Sequence, residues 1–184
     1  SKKISNKPRT AVMVANIHQN KDHKTLLRAW KLLKDKFGDD CPRLKLVGAK
    51  RNSYENLKEF SKKLGLTHVL EFTGMIDDVT SVIQSADFCV FSSNSEGSPN
   101  GLLECMAGGL PVVATDIDTI KEALGEEYNF LVPVNSPEIF AEKIIDLIGD
   151  QETMHRVGKL NHLRIIEHFS FQQMLVGYLD IVNS

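Results

Sequence analysis

A chain of 184 residues, 42% hydrophobic and 25% charged, is long enough to bury a core and has the make-up of one soluble globular domain. A net charge of −2 excludes a strong electrostatic pull toward nucleic acid or an anionic membrane. No apolar run reaches spanning length, and Ser1-Lys2-Lys3-Ile4-Ser5 lacks a signal peptide's hydrophobic segment, so a cytoplasmic protein is expected.

Residues 1–9 are polar and basic and read as a linker or tail. The first strand is expected over 10–16. Lys21 follows in the loop, and Asp22 is the expected cap of a helix with Leu26, Ala29, Trp30, Leu33 and Phe37 on one stripe, closed by Gly38. A second strand, 44–48, ends in Gly48. Ser53 is expected to cap a second helix carrying Leu57, Phe60 and Leu64 and ended by Gly65. A third strand, 69–74, ends in Gly74, with Met75 and Ile76 next. A short helix over 79–84 leads to an apolar fourth strand, 86–91.

The chemistry concentrates in the next stretch, Glu96-Gly97-Ser98-Pro99-Asn100-Gly101-Leu102-Leu103-Glu104. Pro99 and Asn100 start a helix that Gly108-Gly109 stops, and a fifth strand follows at 111–114. Helix-start amides lack internal partners and carry partial positive charge, so a phosphate suits that place. Glycine lets backbone come close to a ligand there. Glu96 in the loop and Glu104 one turn into the helix would accept hydrogen bonds from hydroxyls of the same ligand. Beyond lie a helical turn at 120–124, a sixth strand at 129–132, a helix over 136–149 with Ser136 as cap and Pro137 in its first turn, and two helices at 151–168 and 170–182. The last is expected to start at Ser170 and to turn Phe171, Met174, Leu175, Tyr178 and Leu179 to the core.

Strands alternating with helices predict an α/β fold: a single Rossmann-like domain with a parallel sheet of about six strands, helices on both faces and two helices at the carboxyl end. Right-handed crossovers put the strands' carboxyl ends at one edge, where open sheets bind ligands. Cys41, Cys89 and Cys105 have no metal-like spacing and read as buried thiols. No metal site is expected: Asp77-Asp78 reads as a helix-start match, and Asp116 and Asp118 as surface or cap. A dinucleotide-binding G-x-G-x-x-G and a phosphate-binding loop ending in Lys-Ser/Thr are both missing after the first strand.

The run from Glu96 to Thr115 resembles the E-x7-E signature of the retaining GT-B glycosyltransferases known as glycosyl transferases group 1, with Cys105 where alanine is usual. The resemblance covers residues 10–184 and implies the donor-binding, carboxyl-terminal domain of such an enzyme, with the acceptor-binding amino-terminal domain missing. It implies a UDP- or GDP-linked sugar as donor substrate, no cofactor and no metal, retention of anomeric configuration, and an acceptor in polysaccharide synthesis, with the full-length enzyme cytoplasmic or peripheral at the inner membrane. By the same resemblance Glu96 meets the transferred sugar and Lys21 the donor diphosphate, and these two are the catalytic candidates. Glu104 holds the ribose. Gly97, Ser98, Pro99, Asn100, Gly101 and Leu102 supply donors to sugar and diphosphate, and Gly48, Gly74 and Met75 border the nucleotide. Asn16 stands where the family usually has arginine on the diphosphate, and His18 is a candidate helper. The resemblance leaves two alternatives: a non-catalytic ligand-binding relative and a nucleotide-sugar epimerase of the same fold.

Overall fold

The computed structural model describes residues 9–169. Residues 1–8 of the expected tail and the expected helix over 170–182, with Phe171, Met174, Leu175, Tyr178 and Leu179, lie outside the described residues. Six strands, β1 (Thr10–Val14), β2 (Arg43–Val47), β3 (Leu70–Gly74), β4 (Phe88–Phe91), β5 (Val112–Thr115) and β6 (Leu131–Val132), form one parallel sheet in the order β3-β2-β1-β4-β5-β6. Seven α-helices are described: α1 (His23–Phe37), α2 (Tyr54–Lys63), α3 (Val79–Gln84), α4 (Asn100–Ala107), α5 (Asp118–Leu124), α6 (Pro137–Gly149) and α7 (Gln151–His168).

Alternation along the strands divides the core into two layers. Ala11, Met13, Leu44, Leu46, Val90 and Val113 face the layer containing α1, α2 and α6. Val12, Val47, Cys89, Phe91, Val112 and Ala114 face the layer containing α3, α4 and α5. With both faces covered, β4 and β5 are buried at every residue, which is why they read as continuous apolar runs in the sequence. Helix α7 packs on both α4 and α6. All three cysteines are buried free thiols. Among the described residues no helix is long and apolar enough to cross a membrane.

Several expected boundaries move. β1 ends at Val14, so Ala15 and Asn16 already belong to the loop. Asp22 caps α1, accepting from the Thr25 N–H at 3.2 Å, and Asp78 caps α3 in the same way at Ser81. Ser53 and Ser136 do not cap their helices. Ser53 sits in helical backbone (φ −90°, ψ −3°), which aims its hydroxyl away from the free amides, and the Ser136 hydroxyl donates back to Val134 O. Gly149 stays inside α6, whose cap is Asp150. Asp116 pairs with Lys121 at 2.9 Å, and Asp118 opens α5, both as surface groups.

Candidate functional site

β1 and β4 are neighbours in the sheet, but their following helices lie on opposite faces, so the chain diverges between them. A crevice opens at such a switch point, beyond the strands' carboxyl ends. Here it is a cleft of about 600 Å³ lined by the β1 loop (Asn16, His18, Asn20, Lys21), the β4 loop (Ser95, Glu96, Gly97, Ser98), the start of α4 (Asn100, Gly101) and Arg51 from the β2 loop.

Buried hydrogen bonds lace the two main loops together. The Ser92 hydroxyl donates to Asp22 O at 2.8 Å, and the Asp22 N–H donates back to Ser92 O at 3.2 Å. The Asn94 N–H donates to Asn20 O at 2.9 Å, and the Ser93 hydroxyl lies 3.0 Å from the same carbonyl. Thr115, at the end of β5, accepts from the Ser93 N–H and donates to Ser93 O. Ser92, Ser93 and Thr115 are fully buried, so the Ser92–Asp22 and Ser93–Thr115 bonds are sheltered from competing water, whereas Asn20 and Asn94 are exposed. The consequence is that Lys21 and Glu96, 75 residues apart in sequence, meet: Lys21 Nζ donates to Glu96 Oε2.

Only 16% of the Lys21 side chain and 11% of the Glu96 side chain are exposed. The Lys21 ammonium also lies 4.5 Å from the centre of the Phe91 ring. Burial lowers the Lys21 pKa to about 8, because the charged form is the one that loses hydration. Next to it, His23 is buried and held neutral, its pKa pushed down to about 4 chiefly by burial, with Nδ1 on Lys21 O at 3.0 Å.

Helix α4 starts with free donors aimed along its axis. Its first internal bond runs from Leu103 N to Pro99 O (3.0 Å), so the amides of Asn100, Gly101 and Leu102 precede the ladder. No acidic residue in its first turn offsets the positive end. Gly101 is required for packing: a Cβ there would lie 1.9 Å from Val14 O, so only glycine lets α4 sit down on the end of β1. Gly97 has nothing within 4 Å of a Cβ, which leaves open space beside Glu96.

The cleft thus gathers Asn16, His18, Lys21, Glu96, Gly97, Ser98, Asn100 and Gly101 from the expected set. Others sit outside its lining. Glu104 is exposed one turn further along α4. Pro99 and Leu102 are buried, the latter wholly. Gly48 and Gly74 lie at the ends of β2 and β3, joined by a Gly48 N–H bond to Gly74 O (3.0 Å), and a Cβ on Gly48 would strike Ala15 O at 2.3 Å. Met75 stands out at 79% exposure beside them. Asn16 turns its side-chain carbonyl to the Ala49 N–H at 2.8 Å. Arg51 escaped the sequence reading; its one signal was a basic residue three positions past the glycine that follows β2. Among the described residues no group of three His, Cys, Asp or Glu side chains could hold a metal ion.

Comparisons with known proteins agree on this architecture. The sequence profile of the family "Glycosyl transferases group 1" matches residues 8–150. A Bacillus subtilis protein named as glycosyltransferase EpsD is 35% identical over 153 residues, covering 80% of this chain and 38% of that protein. An uncharacterized glycosyltransferase of Haemophilus influenzae is 32% identical over 182 residues, covering 98% of this chain and 50% of that protein. The chain therefore spans at most half the length of these relatives. Among solved structures, Staphylococcus aureus TarM in complex with UDP superposes with a TM-score of 0.87 at 20% identity, over 99% of this chain and 38% of that one. Anabaena HepE in complex with UDP and glucose superposes at 0.85 with 18% identity, over 99% of this chain and 50% of that one. The fold is a Rossmann-like α/β domain like those of its GT-B neighbours, and the chain belongs to the group 1 glycosyltransferases.

Proposed function

We propose that this chain is the donor-binding domain of a retaining glycosyltransferase. In this reading it takes a UDP- or GDP-linked hexose, and the transfer partner domain precedes it in a longer protein. The observation that carries the reading is one cleft lined at once by Lys21, Glu96 and the free start of α4. An ammonium and unpaired amides suit a diphosphate, and a carboxylate suits sugar hydroxyls.

The reaction breaks the bond between the anomeric carbon and the diphosphate oxygen, the acceptor oxygen takes its place with configuration retained, and the acceptor's proton passes to the departing phosphate oxygen. Negative charge grows on the departing nucleoside diphosphate. Lys21 and the α4 amides oppose that charge from fixed positions, a preorganised stabilisation that gives protein donors the work a metal could otherwise do. Glu96 orients the transferred sugar, and Glu104 takes the ribose hydroxyls from the flank of α4. Without donor, Lys21 and Glu96 satisfy each other; a bound nucleotide-sugar parts them, one to phosphate and one to sugar. Titration calorimetry with UDP and GDP tests the reading directly. Micromolar binding of one of them supports it, and binding of neither counts against it. Polysaccharide synthesis and a place at the inner face of a membrane are the matching assignments for the longer protein.

A further inference from the structure

We propose that Arg51 is the cation that gives this cleft its net positive charge and that it grips the donor diphosphate; the assignment rests on the nucleotide-sugar reading above. The charge balance leads there. Lys21 and Glu96 face each other as an ion pair and nearly cancel, so without Arg51 the cleft would offer an anion little beyond the partial charge of one helix start. Arg51 lines the same cleft as the Gly97 loop and the start of α4. Its guanidinium makes no hydrogen bond or ion pair among the described residues, and it is exposed. The neighbouring Lys50 is engaged elsewhere, with Nζ 4.8 Å from the centre of the Tyr54 ring.

Asn16 places Arg51. Its side-chain carbonyl accepts from the Ala49 N–H, and the Ile17 N–H donates to Ala49 O at 3.0 Å. Ile17 and Lys50 pair as a parallel bridge. The β1 loop is thereby stapled to the β2 loop two residues before Arg51. Position 16 supplies the staple, and position 51 supplies the charge. A guanidinium has five donors in a planar fork and no acceptor, which matches phosphate oxygens and not the donor edges of a base.

The test titrates the chain with UDP, GDP, uridine and guanosine, unaltered and as Arg51→Gln, Arg51→Lys and Lys21→Met. Arg51→Gln should weaken the favoured diphosphate by about tenfold, leave its nucleoside unchanged and flatten the salt dependence. Arg51→Lys should restore part of the loss. Equal weakening of diphosphate and nucleoside, or an unchanged diphosphate, overturns the assignment. If Lys21→Met weakens the diphosphate while Arg51→Gln does not, the cleft reading stands and the Arg51 assignment alone fails. If the unaltered chain binds neither diphosphate, both fall.

Discussion

Glu96 and Glu104 share a motif but live in different surroundings, and that difference sets separate expectations. Glu96 is nearly buried and bonded to Lys21, whereas Glu104 is exposed on α4. On the donor-binding proposal, Glu96→Gln in an active longer protein should lower kcat by about 100-fold, since it would remove the contact proposed to the reacting sugar. Glu104→Ala should instead raise the donor Kd by about tenfold with a smaller effect on kcat. Steady-state kinetics beside donor titrations check the split, and matching losses in both variants would speak against distinct roles. Lys21 adds a pH dependence. In the free protein it loses its proton as pH rises through about 8. A diphosphate beside Nζ favours the charged form and raises that pKa. Above pH of about 8 binding therefore takes up a proton, and affinity falls as pH rises further. Calorimetry in buffers of different ionisation heats reads that uptake, and Lys21→Met should abolish it.

At the scale of elements, the site depends on how tightly α4 and the β4 loop are held. Gly101→Ala forces a methyl against Val14 O, so α4 must lift off β1. A cost of about 1–3 kcal/mol is expected in denaturant unfolding, together with weaker nucleotide binding. Gly97→Ala meets nothing within 4 Å. It should leave the unfolding midpoint in place and still weaken the sugar-bearing donor, because the methyl enters the space beside Glu96. Thr115→Val removes both bonds to Ser93 from a fully buried site. The stranded Ser93 N–H and carbonyl should cost about 1–3 kcal/mol and loosen the segment that carries Glu96. A donor Kd that stays constant in Thr115→Val would show that this anchoring is not needed for binding.

For the whole molecule, the proposal puts the acceptor in a second domain, so in this single Rossmann-like domain water would reach the cleft. The chain alone should therefore bind donor but transfer sugar at a negligible rate, measured by nucleoside diphosphate release with and without acceptor. Rapid transfer by the chain alone would contradict the assignment of a separate acceptor domain. The parallel strands and the helices covering both faces were legible in the sequence because buried parallel strands are continuous apolar runs, as in β4 and β5, and because helices such as α1 carry a clear apolar stripe, whereas the strand order came only from the structure. The motif from Glu96 to Glu104 was legible because its residues are close in sequence. Helix caps were less so: Ser53 sits in helical backbone, and the Ser136 hydroxyl turns back to Val134 O, a choice no local pattern announces. What the chain spelled out by itself was the family and the layer architecture, since both depend on local pattern. Only the tertiary structure decided that Lys21 and Glu96 are paired, that Asn16 staples one loop to another, that Gly101 serves packing, and that Arg51 faces the cleft. Those four outcomes depend on distances between loops far apart in sequence, which the folding of the sheet sets and no local pattern encodes.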